Sequence, residues 1–363
     1  MGSIAHVGMD VHKESTRVVL LPQESNEFLD ECTLPTRRVE LCRYLLRWER
    51  DYQLRCYYEA GPAGYVPHRW LTGAGLECQV IAPSKTPRAP GDRVRTDRRD
   101  ARRLARQGKA GALVPVHVPT LGEEAGQALV RCREVRQKDL LAAKHRVLKF
   151  LGRRGLYFSE GKHWTQRHWR WLKEISFPEP EAWTWSQYLT EVRYRADRLA
   201  EADRQVAELA QEPGYAGKLG WIGCFRGFDV TAGMIVLTET IDFRRFGSAG
   251  AYMNYWGLTC AEESSGESRR RAGITKSGSS RGRRIWIEAA WHYQHQPAIG
   301  ERLAARQSGQ PPEVIAQAWK AQCRLHKKFW KLASRKDTGT AVTAVARELS
   351  GFIWGVMQEF DLR

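Results

Sequence analysis

The chain has 363 residues, enough for two domains or more and for sizeable hydrophobic cores. Lys+Arg number 58 against 41 Asp+Glu, a formal net charge of +17, and such a surplus favours a polyanionic partner because basic side chains that meet phosphates release condensed counterions. The composition argues against three other classes: no apolar run approaches the roughly 18 residues of a membrane span, Met1-Gly2-Ser3-Ile4 does not open a secretion signal, and the eight cysteines form no CxxC pair of a zinc site. The expectation is a soluble, intracellular protein with reduced, mostly buried thiols and no membrane partner.

The chain opens on an α/β pattern. Ile4–Asp10 reads as a strand, Val11–Ser15 as a polar turn and Arg17–Leu21 as a second strand. Residues 38–49 have helical spacing, with Val39, Cys42, Leu45 and Leu46 on one face. Leu54–Tyr58 is a strand ending at Glu59, with Gly61-Pro62-Ala63-Gly64 as the breaker; a helix over Val66–Leu71 and a strand over Cys78–Ile81 follow. Residues 83–95 read as a Pro- and Arg-rich loop, and 97–108 as a helix. A long helix spans 121–155, residues 157–190 are aromatic and irregular, and Leu199, Ala202, Val206 and Leu209 fall at coiled-coil spacing on a further helix. That helix could pair with the first or with another subunit. A glycine-bearing turn at Trp221–Phe228, an apolar helix over Val230–Leu237, a Ser-Gly stretch, a helix at 281–293 and a helical tail at 311–360 complete the chain.

Four acids stand at places where one site can gather them. Asp10 and Glu59 end strands of one α/β unit, and Asp97 and Asp100, three apart on a helix, face the same way. Carboxylates packed together repel unless cations lie between them, and hard oxygen ligands suit Mg²⁺, two of which can clamp both sides of a phosphodiester. Singly, each acid reads as a surface residue; the order of elements carries the signal. Residues 85–109 hold ten basic residues, among them Arg95, Arg98, Arg99 and Arg102, against three acids, two of which are Asp97 and Asp100, so the acids lie within a phosphate-binding surface.

A second constellation is Glu263-Ser264-Ser265-Gly266, followed between Ser268 and Arg284 by seven basic residues (Arg269, Arg270, Arg271, Lys276, Arg281, Arg283, Arg284) and no acid. Glycine permits a turn that presents a hydroxyl, and arginines hold phosphates beside it. A serine needs a base or metal to take its proton, and no histidine is nearer in sequence than His292. The competing reading is a solvated Ser-rich loop, and the local sequence does not choose between Ser264, Ser265 and Ser268. A third feature, residues 145–171, mixes Arg, Lys and His with Phe150, Tyr157, Phe158, Trp164, Trp169 and Trp171. Such mixtures stack on single-stranded or looped RNA; equally, the rings can pack a helix pair.

Gly8-Met9-Asp10-Val11-His12-Lys13, Tyr58-Glu59-Ala60-Gly61 and Arg95-Thr96-Asp97-Arg98-Arg99-Asp100-Ala101 resemble the DEDD motifs of the IS110 family of insertion-sequence transposases, which are related to the Piv DNA invertases. Phe225–Asp229, Asp242–Phe246, Tyr255–Thr259, Ser264-Ser265-Gly266, Gly273–Gly278 and Glu288–Trp291 resemble the second domain of that family, so the resemblance covers nearly the whole chain. It implies an α/β plus α protein in three parts: a RuvC-like domain of ribonuclease-H-like fold over 1–115, a coiled-coil helical segment with the basic-aromatic stretch over 116–215, and a mainly α transposase domain with a catalytic serine over 216–363. It assigns Asp10, Glu59, Asp97 and Asp100 to the Mg²⁺ site, with Mn²⁺ as the substitute, and Ser265 as nucleophile. It further implies excision and insertion of a mobile element through a phosphoserine intermediate, guided by a non-coding bridge RNA that pairs with target and donor double-stranded DNA, in a homo-oligomer, a tetramer. The departures are Gly278-Ser279 where the family usually has Gly-Asn, and Cys260 where it often has proline.

The rival readings are a RuvC-like metal-dependent nuclease without serine chemistry, a sugar-kinase or actin-like ATPase, and a non-catalytic RNA-binding protein. The ATPase lacks a second phosphate-binding glycine hairpin, and a charge of +17 is odd for it.

Overall fold

The computed structural model describes residues 2–86, 96–265 and 268–360, with the backbone alone for Ser84, 262–265 and 268–272. It divides into two compact units, Met1–Pro119 and Thr120–Arg363.

The first unit is a mixed α/β layer. Its elements are β1 (Ser3–Val11), β2 (Ser15–Pro22), β3 (Asp30–Pro35), α1 (Arg38–Trp48), β4 (Tyr52–Glu59), α2 (Val66–Thr72), β5 (Glu77–Ile81) and α3 (Asp97–Lys109). The strand order is β3-β2-β1-β4-β5. β2 pairs antiparallel with β1 and with β3, while β4 runs parallel to β1 and β5 parallel to β4. β1 is therefore the middle strand.

Side chains alternate across a strand, and this alternation divides the sheet. Ala5, Val7, Met9, Val18, Leu20, Leu54, Cys56, Tyr58, Cys78 and Val80 form one buried face with Leu41, Tyr44 and Leu45 of α1 and Leu71 of α2. The buried side of α1 is thus one residue away from the expected stripe: Val39 and Leu46 are exposed. The opposite face carries His6, Gly8 and Asp10 of β1 and Arg55, Tyr57 and Glu59 of β4, and α3 lies on it. Contact there is backbone to backbone. A Cβ at Gly8 would stand 2.0 Å from the Ala101 carbonyl oxygen and 2.6 Å from the Ala105 nitrogen. Beyond the sheet's edge, the amide of Val116 donates to the Val80 carbonyl and that of Ala82 to the Val114 carbonyl, covering β5.

The second unit is almost entirely helical: α4 (Leu121–Gly152), α5 (Gln166–Glu174), α6 (Glu181–Leu209), α7 (Pro213–Gly223), α8 (Val230–Thr240), α9 (Ala249–Tyr255), β6 (Cys260–Ser265), β7 (Ser268–Ile274), α10 (Ser280–Trp291), α11 (Glu301–Gln307), α12 (Pro312–Ala333) and α13 (Thr338–Phe360). α4 starts at a capping box in which Thr120 accepts from the Glu123 amide and Glu123 answers to the Thr120 amide. α4 and α6 pair within one chain and run antiparallel, since Phe150 stacks on Trp185 at one end while Arg133 binds Asp203 toward the other. The aromatic stretch before α6 is not irregular throughout. It holds α5, and its rings go into the helix pair: Trp164, Trp169 and Trp171 pack against a core that includes Phe150, Leu172 and Trp185. Lys144 lies over the Trp164 ring and Arg193 over Trp169, while Tyr157 is exposed.

α8 is buried from Gly233 to Thr240 and lies in the larger core, packed by α4, α6, α7 and α10. Between α9 and α10 the chain forms the antiparallel pair β6–β7.

Candidate active site

The parity of the sheet assembles the acids of the first unit. Asp10 lies one residue before the end of β1 and Glu59 is the last residue of β4; Met9 pairs with Tyr58, so the two acids fall side by side at one end of neighbouring parallel strands. Both belong to the face covered by α3. That helix begins at the same end, where Thr96 caps it by accepting from the Arg99 amide at 3.3 Å, and Asp97 and Asp100 occupy its first turn. Carboxylates suit that position, where free amides leave partial positive charge. The close approach at Gly8, two residues before Asp10, sets α3 down with its first turn beside the strand ends.

The acids divide into two groups. Asp10 Oδ2 is 3.3 Å and Asp97 Oδ1 3.5 Å from His12 Nε2, and ligand atoms of the three residues lie within 4.8 Å of one another. Glu59 and Asp100 share Arg103, whose Nη2 donates to Glu59 Oε1 at 3.2 Å and whose Nη1 meets Asp100 Oδ1 at 2.5 Å. Burial raises the Asp10 carboxyl above the usual carboxylate range; His12 opposes this, and the negative charges of Asp97 and Asp100 add to it. That is the electrostatic mark of an acid cluster that gains from a cation.

His12 and Arg103 carry site contacts that the sequence reading did not assign. For His12 the signal is its place directly after β1, two residues beyond Asp10. For Arg103 it is the (i, i+3) step from Asp100 along α3.

The basic residues around the acids are partly engaged. Arg98, Arg102 and Arg17 all bind Glu31 of β3. Burial works against charge on Glu31, but those three guanidinium groups outweigh it and hold the carboxyl below its ordinary range. Arg99 is exposed on α3. Arg95 lies outside the described residues.

In the second unit Ser264 and Ser265 end β6 rather than sit in a loop; Ser265 pairs with Ser268 and Ser264 with Arg269 across the ribbon. The side chains of Ser265, Arg269, Arg270 and Arg271, and all of Gly266, lie outside the described residues. The base of the ribbon is built by Gly257 (φ +63°) and Gly278 (φ +72°), where a Cβ would meet Ser277 O at 2.3 Å and Tyr255 O at 2.0 Å respectively. Arg283 staples this base by donating to the carbonyls of Trp256 (3.2 Å) and Ser277 (2.9 Å). Arg284 binds Glu288 and, at 2.6 Å, the buried Glu134 of α4, which also pairs with Arg281. Lys276 is exposed. Ser279, one of the departures, caps α10 through the Gly282 amide, a task serine performs about as well as asparagine.

A mixed sheet that gathers acids at its strand ends is a framework suited to metal-assisted processing of nucleic acid. Comparison with known proteins narrows the class. A DEDD transposase profile of the IS110 type matches residues 7–154, and the profile "Transposase IS116/IS110/IS902 family" matches residues 225–304. The chain is 33% identical over 337 residues to a transposase for insertion sequence element IS1533 of Leptospira borgpetersenii, covering 91% of this chain and 97% of that one. It is 39% identical over 303 residues to the putative transposase y4qE of Sinorhizobium fredii, covering 83% and 75%. The chain belongs to the IS116/IS110/IS902 family of transposases and is an enzyme that acts on DNA. No helix among the described residues is long and apolar enough to cross a membrane.

Proposed function

We propose that this transposase cuts and rejoins the DNA of its mobile element with two sets of groups. One is a RuvC-like divalent-metal site of Asp10, Glu59, Asp97 and Asp100; the other is the Ser265 hydroxyl. The observation that carries the first part is the convergence of the four acids on one end of the sheet, by strand parity for Asp10 and Glu59 and by the Gly8 contact for the first turn of α3. The strand order, with β1 central and an antiparallel β1–β2–β3 meander, suits a ribonuclease-H-like domain.

The donor set fits a divalent cation: two carboxylates and an imidazole face one another, and burial plus like charge already raise Asp10. Asp10 and Asp97 would hold it, with Glu59 and Asp100 available once Arg103 moves aside. A bound Mg²⁺ or Mn²⁺ supplies charge stabilisation at the phosphate and eases loss of a proton from the attacking oxygen. The carboxylates fix that charge at the strand ends, and Arg103 offsets part of the negative charge of Glu59 and Asp100 until DNA arrives.

For the second part, the Ser265 hydroxyl attacks a backbone phosphorus. One P–O ester bond to serine forms as the bond to one strand breaks, and the departing strand's oxygen takes the proton that the serine loses. Reversal with a different strand end exchanges partners without net loss of phosphoester bonds. The serine's place at the end of a ribbon followed by Arg269, Arg270 and Arg271 supports this reading, as does the resemblance of the surrounding motif. The same resemblance supports guidance by a bridge RNA and assembly as a tetramer, and the +17 charge suits an RNA partner.

The test is strand exchange with purified protein, RNA and DNA, followed by denaturing gels. Asp97→Asn should stop cleavage. Ser265→Ala should abolish both strand transfer and the protein–DNA adduct. If Ser265→Ala cuts DNA as the parent does, the protein is a RuvC-like nuclease without serine chemistry. Digestion of co-purified RNA should abolish target choice.

A further inference from the structure

His12 stands among the proposed metal ligands without a part in the reaction as given above. Its backbone is held from two directions: its amide donates to the Ser15 carbonyl at 3.0 Å, and its carbonyl accepts from the Thr36 hydroxyl at 2.8 Å. This turn follows directly on β1, so the imidazole is delivered to the same end of the sheet as Asp10, with Nε2 forward toward both Asp10 and Asp97.

The two halves of the site differ in what they lack. Glu59 and Asp100 already share a cation, the guanidinium of Arg103. Among the described residues Asp10 and Asp97 share the ring nitrogen of His12, with ligand atoms of all three residues close enough to meet at one ion. We propose that the cation of this site is held, among the described residues, by Asp10, His12 and Asp97, with His12 Nε2 as a direct ligand, and that this nitrogen biases the site toward Mn²⁺ over Mg²⁺. The inference rests on reading the acids as a metal site.

The chemistry of the donors gives the direction. Mg²⁺ wants octahedral oxygen ligands and gives up its waters reluctantly. Imidazole is a softer donor that suits later divalent metals, and Mn²⁺ accepts both oxygen and nitrogen. Charge attraction alone favours neither ion, since both carry the same charge. Arg103 further reduces the net negative charge that a third and fourth carboxylate would bring. Donor identity therefore weighs more here than in a site of four unpaired acids.

The competing arrangement is a protonated His12 bridging two aspartates in place of a metal, and pulsed electron paramagnetic resonance separates the two. The full chain, stripped with chelator, is titrated with Mn²⁺ and then competed with Mg²⁺, alongside His12→Ala and Asp10→Asn. Thermal melting checks that each variant folds. In the parent, bound Mn²⁺ should show nitrogen modulation. His12→Ala should lose that modulation and see its Mn²⁺-over-Mg²⁺ preference fall about tenfold or more, the scale on which metal-site contacts act. Asp10→Asn should lose the ion. If Asp10→Asn binds Mn²⁺ as the parent does, the metal reading of the acids fails. If Asp10→Asn loses the ion but the parent shows no nitrogen modulation, His12 is not a ligand and this inference alone falls.

Discussion

Asp10 and Ser265 both stand at or near the end of a β-strand, and there the likeness stops. β1 has a partner on each side and a helix laid on its face. β6 pairs with β7 alone among the described residues, and what shapes the ribbon is its base: two glycines in left-handed conformation and the Arg283 staple. In the first unit layer packing brings the acids together; in the second a turn presents the serine proposed above. The first kind of site is sensitive to anything that separates two layers. The second is sensitive to the few groups that anchor the ribbon and tolerates change in the helices that surround it.

Four substitutions test that contrast, beginning with the largest effect. Asp97→Asn removes a charge from the assembled site without touching a core, and should lower DNA cleavage by about a hundred- to a thousandfold, as several kcal/mol of transition-state stabilisation are lost, while leaving thermal melting near that of the parent. Gly8→Ala places a methyl group inside the Ala101 carbonyl and should cost the first unit about 3 kcal/mol, at the upper end for overpacking. Its activity should fall with it because the first turn of α3 shifts; calorimetry and cleavage rates report both. A Gly8→Ala protein with parental activity would break the claim that packing makes this site.

Glu134→Ala tests the second unit. It strips the buried partner from Arg281 and Arg284, which are themselves partly exposed, so the loss should be about 2 kcal/mol rather than the full cost of orphaning a buried charge. Denaturant unfolding measures it, and Ser265 adduct formation should survive at low temperature if the ribbon is anchored independently at its base. The smallest effect is a pH dependence. His168 is fully buried, its Nδ1 accepts from the Trp164 amide at 2.9 Å, and burial, with His163 nearby, lowers its pKa to about 4. An unfolded histidine takes up its proton near 6.5, so the stabilising contribution is whole above that pH and is lost as the pH falls toward 4. Between pH 6.5 and about 5.5 the second unit should lose on the order of 1 kcal/mol, and His168→Gln should flatten that slope.

Much of the first unit was legible because its strands are regular. β1, β2, β4 and β5 carry apolar or β-branched runs between clear turns; Asp10 and Glu59 stand where two of those runs end, and Asp97 and Asp100 open the helix α3. β3 was not: Asp30–Pro35 is short, polar and at the sheet's edge, with no buried stripe to betray it. His12 read as part of a turn because its role depends on β1 continuing to Val11. α1 was placed correctly with its stripe misjudged, since Leu41 and Tyr44, not Val39 and Leu46, meet the core. In the second unit the apolar helices were visible, whereas β6–β7 was not, because Cys260–Ser265 and Ser268–Ile274 show no apolar alternation. The pairing of α4 with α6, left open by spacing alone, is settled by Phe150 on Trp185 and Arg133 on Asp203. The rings between them that resembled a base-stacking platform are mostly core.

The contact at Gly8 has a consequence for how this protein can change. The separation of α3 from β1 is set by main chain against main chain, not by side chains that repack. The residues that fill the opposite face of the sheet, among them Leu41, Leu45 and Leu71, are therefore decoupled from the spacing of the acids. Lineages, or an engineer's library, can drift through many apolar combinations on that face and move the melting temperature up or down, while the four carboxylates keep their distance. What is held fixed is a single position with no side chain at all.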